Sequence, residues 1–469
     1  MKRSRILAAW PLLLGIAVVA GAQARPLPPR QAIAIADVTV IDVRKGRTSG
    51  SRTVVIDNGR IVAIDSGSGK VPADAQRVDG RGKFLIPGLV DMHIHLFNLS
   101  SHRPPNDWTF PLYVANGVTS VREMRSDAEG IAQVRRWREQ LDSGERAVPR
   151  IVAAGIAVHG TSPEEAAREV SAAADAGADF IKVFSEVPPA NFRAIVEAAR
   201  SHWLPVAGHA PAAMPLLDAA STGQRSNEHL MQAYESCSSI ESQLLEERRG
   251  LADDKLLAKR DAQEGPALAA FDERACRRTS KALVAANQSQ VPTLVLADED
   301  TLQAGGSPEK DSRWRYLRDD EHARWRQFLA GYSAQDAALA KQRWPIARRI
   351  VAAMHQAGVR ILTGTDAPMP GVYPGFSLHE EMALLVDAGL TPLDALRAAT
   401  FAPAEFLGIA GAAGSVEVGM RADLVLLDAD PTKDIRNTQR INAVLLDGRL
   451  LRRDALDALL EDAAAPQVR

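Results

Sequence analysis

Cysteine is nearly absent from this chain of 469 residues: Cys237 and Cys276 are the only two, and no C-x-x-C occurs. That excludes a thiolate metal centre, which needs cysteines paired at short spacing. Two cysteines allow one disulfide at most, and an oxidising compartment would preserve it; their spacing leaves the pairing open. An excess of charge of one sign is also lacking. Lys and Arg number 56 against 58 Asp and Glu, a formal net charge of −2, so the electrostatics point to neither nucleic acid nor an anionic membrane as partner. No Gly-rich phosphate loop follows any candidate strand, which argues against a doubly wound, nucleotide-binding sheet. No fixed-period repeat is present, and beyond residue 24 no apolar run is long enough to span a bilayer.

The first residues carry a different signal. Lys2, Arg3 and Arg5 precede an apolar stretch from Ile6 to Ala20, and Ala22-Gln23-Ala24 supplies a small-x-small site. This pattern predicts a secretory signal peptide over 1–24, cleaved after Ala24. The apolar run is short for a membrane anchor and no lipobox cysteine follows it. The expectation is a secreted protein of the bacterial periplasm with no stable membrane span after cleavage.

Two β-rich flanks enclose a long central region. AIAIADVTVID and RTVVIDNGRIVAID lie near the start, with Asp57-Asn58-Gly59 as a hairpin turn; GSVEVGMRADLVLLDAD and INAVLLDGRLL lie near the end, with Asp447-Gly448 as another. Between them eight strand-like segments alternate with amphipathic helices: GLVDMHIHL, VTSVREM, RIVAAGIAV, FIKVF, PVAGHA, SNEHL, VPTLVL and RILTGTD. Pro163 and Pro189 stand near helix starts, where proline is tolerated. This predicts an α/β fold: a (β/α)8 TIM barrel over 88–402, with a small β-sandwich domain built from both chain ends, 25–87 and 403–469. Two helical inserts, about 233–288 and 298–346, follow the sixth and seventh strands. In a barrel they fall on the catalytic face, either as a wall or lid of the pocket or as solvated caps. RWRYLRDDEHARWRQ in the second fits a packed helical face better than an aromatic cage.

The strand ends carry the chemistry. His93 and His95, two residues apart on one strand, point the same way. Lys182 lies inside FIKVF, His209 ends PVAGHA, His229 ends SNEHL, and Asp366 ends ILTGTD. In a parallel barrel these ends converge, and buried lysine or aspartate needs a partner or a metal. Neutral imidazoles and a carboxylate bind divalent ions such as zinc. Desolvation would lower the pKa of Lys182 and free its amine to take up CO2 as an anionic carbamate.

This ordered set closely resembles the amidohydrolase superfamily, and within it the binuclear members related to imidazolonepropionase and to secreted Xaa-Pro and Xaa-Arg dipeptidases. IPGLVDMHIHL matches the opening motif; GHA, EHL and LTGTDAP match later ones. LHEEMALLVDAGLTPLDALRAATFAPAEFLGI and GSVEVGMRADLVLLDADP match the C-terminal signatures. The resemblance covers nearly the whole mature chain and implies two divalent metal ions, expected to be zinc. His93, His95 and Asp366 would hold the more buried ion, His209 and His229 the second, and a CO2-derived carbamate on Lys182 would bridge them. A metal-bridging hydroxide would be the nucleophile, with Asp366 as catalytic proton shuttle.

The implied activity is cleavage of an amide bond in a small-molecule substrate, a dipeptide or N-acyl amino acid. The alternative is a lactone, carbamate or organophosphate ester at the same site. A non-catalytic scaffold is disfavoured because every ligand position is filled, and a mononuclear deaminase because Lys182 is present. Three further residues are substrate-binding candidates. His159 either contacts substrate or is a loop residue. Arg122 either pairs with a substrate carboxylate or forms a structural salt bridge. Tyr234 either bonds substrate or packs. His379 matches a family position but fits a supporting role. A homo-oligomer is left open.

Overall fold

The computed structural model describes residues 25–67, 71–98, 104–297 and 308–464. The signal-peptide reading of residues 1–24 lies outside the described residues. No described helix is long and apolar enough to cross a membrane.

The N-terminal flank forms five strands: β1 (Ile33–Asp42), β2 (Arg47–Asp57), β3 (Arg60–Ser66), β4 (Gln76–Asp79) and β5 (Phe84–Pro87). The barrel supplies β6 (Leu89–Ile94), β7 (Val118–Ser126), β8 (Arg150–Ala157), β9 (Phe180–Val183), β10 (Val206–Gly208), β11 (Gln224–Glu228) and β12 (Ser289–Val291). The C-terminal flank adds β13 (Leu424–Leu427), β14 (Ile441–Leu446) and β15 (Arg449–Arg452). Both flanks join one mixed sheet, ordered β15-β14-β13-β5-β1-β2-β3 with β4 on β1. Its own core gathers Ile33, Ile35, Val54, Ile56, Leu424 and Leu426. β13 pairs antiparallel with β5, from Leu424 against Pro87 to Leu427 against Phe84, and so ties the two chain ends together. Both hairpin turns form where expected. Asn58 and Gly59 have φ of 47° and 75°, and Asp447 and Gly448 of 54° and 72°, the left-handed pairs that a tight two-residue hairpin requires.

The seven barrel strands are parallel and consecutive, β6 to β12. β6 is buried at every residue, as a strand covered on both faces must be. The barrel is closed by an irregular eighth segment, residues 361–367. Ile361 bridges Gln290 and Ala367 bridges Ile94, both parallel. Met92 N donates to Thr363 O at 2.9 Å and His95 N to Ala367 O at 2.9 Å. Gly364 allows this approach: a Cβ there would lie 2.5 Å from Val291 Cγ1 and 2.9 Å from His93 Cβ. Helices Pro163–Ala176 and Pro189–Ser201 start on the expected prolines, and Ser162 Oγ caps the first by accepting from Glu165 N.

The region between β11 and β12 folds into five helices, from Ala233–Ser236 to Glu273–Ala285. After β12, VPTLVL continues as a 3-10 turn, Leu294–Leu296, rather than as strand. The helix Ala334–Ala357 runs unbroken through Pro345, so the end of the second insert expected near 346 falls inside it. Cys237 and Cys276 are bonded and buried, joining the first and last helical parts of the first insert. Trp314, Trp325, Trp108 and Tyr373 pack in one buried cluster, so the Trp/Arg segment is a packed face.

Candidate active site

The C-terminal ends of the barrel strands open into a cavity of about 520 Å³, lined by His93, His95, Lys182, His209, His229 and Asp366 among others. The six residues singled out at strand ends therefore do meet. His95 Nε2 lies 2.9 Å and His93 Nε2 3.3 Å from Asp366 Oδ1, and His229 Nε2 lies 4.0 Å from Asp366 Oδ2. The His93 and His229 rings are 4.4 Å apart, and those of His209 and His229 5.1 Å.

Two atoms betray an unmet need. His93 Nε2 and Asp366 Oδ1 are buried and make no aligned hydrogen bond, although they lie 3.3 Å from each other and Asp366 Oδ1 lies 2.9 Å from His95 Nε2. Buried polar atoms are nearly always satisfied, and orphans call for an explanation. The ligand atoms of His93, His95 and Asp366 all lie within 4.8 Å of one another, so one divalent cation would satisfy them together.

The imidazoles are aimed from behind. Glu228 Oε2 bonds His93 Nδ1 at 2.9 Å, which leaves Nε2 facing the cavity. Thr293 Oγ1 donates to Pro292 O at 2.8 Å and therefore accepts from His229 Nδ1, also at 2.8 Å. His229 then presents the lone pair of Nε2. Burial holds the His209 pKa well below its ordinary value, and burial with the neighbouring His93 lowers that of His229 to about 3, so both imidazoles are neutral. Burial alone would raise the Asp366 carboxyl, but His229 and His93 hold it well below the usual range and therefore ionised. Burial lowers the Lys182 ammonium to about 8, against the pull of Glu228 and Asp366.

The substrate-binding candidates divide. Tyr234 lines the cavity. His159 is exposed and stands beside the cavity, stacked on the lining residue Phe184 with ring centres 5.5 Å apart. Arg122 does not reach the cavity, which corrects its substrate-binding role. It is 1% exposed and donates to Glu228 at 3.0 and 3.1 Å, to Met92 O at 2.6 Å and to Ser226 Oγ at 3.2 Å. From β7 the Arg122 side chain points into the closed barrel interior, where a buried charge needs a partner, and Glu228 supplies it. His379 is buried between Thr438 Oγ1 and Asn116 O, each at 2.9 Å, in a supporting role.

Sequence reasoning missed Glu228, Thr293, Arg125 and the insert residues of the cavity wall. The wall holds Arg260, Asp261 and Glu264 from the first insert and Arg324 and Arg343 from the second. Glu228 had a signal, being an acidic residue in a buried strand next to a ligand. The wall had none, because helix-to-helix proximity is not written in local pattern.

A parallel barrel with a His-x-His on its first strand, further imidazoles after the fifth and sixth and an aspartate on the closing segment offers the donor set of a metal-binding scaffold. Its sequence agrees with one family: the amidohydrolase family profile matches residues 84–451, and the chain belongs to that family. A solved structure assigned as a prolidase from Bifidobacterium longum is 25% identical and covers 93% of this chain and 100% of its own, with a TM-score of 0.64. Bottromycin amidohydrolase is 24% identical with a TM-score of 0.69, covering 95% of this chain and 94% of its own, and so shares the fold. A deacetylase of Agrobacterium fabrum is 34% identical over 82 residues, 17% of this chain and 20% of the relative. The chain thus matches about a fifth of that curated relative's length.

Proposed function

We propose that this chain is a secreted, binuclear metal-dependent amidohydrolase that cuts an amide bond in a dipeptide or N-acyl amino acid. The observation that carries the reading is the close set of His93 Nε2, His95 Nε2 and Asp366 Oδ1, of which the first and last are buried without an aligned hydrogen bond. His93, His95 and Asp366 would hold one divalent ion, and His209 and His229 the second. A carbamate on Lys182 would serve both; a buried lysine whose pKa is lowered to about 8 keeps a reactive free-amine fraction near neutral pH. When bound, the metals supply Lewis acidity and bring the pKa of water towards about 7.

The protein's own residues do the rest. Asp366 stays ionised and takes a proton at its carboxylate before passing it to the leaving nitrogen. Glu228 and Thr293 keep the His93 and His229 rings in one orientation. The insert helices wall the cavity. The buried Cys237–Cys276 disulfide supports export to an oxidising compartment. A library of dipeptides, N-acyl amino acids, lactones and phosphotriesters, assayed on zinc-reconstituted protein, tests this. Highest kcat/KM is expected on an amide; two bound metals with no amide hydrolysis would overturn the reading.

A further inference from the structure

The cavity wall carries arginines from both inserts, and each is already matched. Arg260 pairs with Asp261 at 2.6 Å, Arg324 with Glu321 at 2.7 Å, and Arg343 with Glu264 at 2.5 and 3.1 Å. Arg125 differs. It stands at the end of β7, lines the same cavity, and has no carboxylate partner among the described residues. Its Nε is buried with no hydrogen bond at all.

The side chain is nevertheless held in place. Its guanidinium lies 5.4 Å from the centre of the Phe184 ring, and its backbone N donates to Glu123 Oε1 at 2.7 Å. Phe184 also touches the proposed metal centre: Lys182 Nζ is 5.0 Å and the His209 ring 5.2 Å from its centre. Arg125 is thus a preorganised planar donor fork, one aromatic ring away from the proposed ligands, with no carboxylate paired to its guanidinium among the described residues. An unpaired cation in a partly desolvated cavity is costly, and a planar fork fits a carboxylate at two points.

We infer that Arg125 is the specificity-determining anchor for a carboxylate on the substrate, placed on the Phe184 side of the scissile amide. This rests on the reading of the cavity as the place where an amide is cut. It assigns a partner to the free carboxylate that dipeptides and N-acyl amino acids carry beside the scissile bond, and it disfavours neutral amides. A positive charge at this place raises affinity for the anionic end of the substrate and fixes which side of the amide faces the metals.

Binding, rather than turnover, tests it. The probes are 2-isobutyl-4-oxopentanoate, in which CH2 replaces the scissile nitrogen of N-acetylleucine, and its uncharged carboxamide. Each is titrated by calorimetry into zinc-reconstituted wild type, Arg125→Gln and Arg125→Lys, with metal content measured for all three. Wild type should bind the acid about 30-fold more tightly than the amide, the range of a charge-assisted bidentate contact. Arg125→Gln should bring that ratio close to one while leaving amide affinity and metal content unchanged. Arg125→Lys should keep part of the preference, which also guards against a folding defect in the first variant. A preference that survives in Arg125→Gln would show that the metals or another residue take the carboxylate, and would overturn the inference. So would equal binding of both probes by wild type, failure of both to bind, or loss of metal in Arg125→Gln. If the acid binds through Arg125 but no amide is hydrolysed, the anchor stands and the proposed reaction falls.

Discussion

Replacing Arg122 with methionine should destabilise the protein without any direct effect on substrate contact. Arg122 is 1% exposed and Glu228 is fully buried, and the pair is joined by two hydrogen bonds of 3.0 and 3.1 Å. Removing the guanidinium leaves a buried carboxylate with only Ser226 Oγ and His93 Nδ1 as partners. Breaking such a pair from one side costs about 3–5 kcal/mol, because the remaining charge is uncompensated. Glu228→Gln should cost a similar amount from the other side. The double variant should cost at least about 2 kcal/mol less than the sum, since neither charge is then stranded. Urea titrations of metal-free protein at constant pH measure these differences. The acid dependence has a definite sign. Burial on its own raises the Glu228 carboxyl, but Arg122 and His93 hold it below its ordinary 4.5. A depressed carboxyl contributes stability that is present above its unfolded value and lost as pH falls through its folded value. The gap between wild type and Arg122→Met should therefore be widest near neutral pH and narrow on acidification. Singles within about 1 kcal/mol of wild type, or strictly additive effects, would refute the reasoning.

Other outcomes follow from the same packing. Burial pushes the Glu381 carboxyl up to about 8, with Oε2 accepting from Val295 N at 3.0 Å. The native protein then holds a proton that the unfolded chain releases above about 4.5, so stability falls between about pH 4.5 and 8. Glu381→Gln should flatten that fall, read as a smaller drop in Tm from pH 5 to pH 8; an unchanged or steeper drop contradicts it. Replacing Cys237 and Cys276 together with serine opens a loop of sequence separation 39. The expected loss is about 4 kcal/mol in a denaturant titration, and KM should rise because Tyr234 and Glu235 of the cavity wall precede Cys237. A loss below about 1 kcal/mol would contradict it.

The convergence of the six proposed ligands on one cavity was legible because each stands at or near the end of a barrel segment, and a parallel barrel brings such ends to one face. Strand alternation alone would have misled at two of them. Glu228 and His229 are adjacent in sequence yet both face the centre, because His229 leaves the strand with φ of 60°. Asp366 does the same at φ of 65°. Those turns are tertiary features without a local signature. Arg122 was legible as a buried basic residue, but whether its partner was substrate or protein depended on Glu228, 106 residues away. Arg125 was overlooked because its significance lies in an absence: among the described residues no carboxylate pairs with its guanidinium. The disulfide was open in the sequence for a similar reason: five helices separate β11 from β12, and only their packing brings Cys237 to Cys276.

The proposed two-metal centre rests on six strand-end residues. Metal content per chain by mass spectrometry, on zinc-reconstituted protein after gel filtration, tests it most directly. Wild type should hold two ions, His209→Ala one, and the pair His93→Ala with His95→Ala fewer than one. One ion in wild type, or two retained after His209→Ala, would contradict the account.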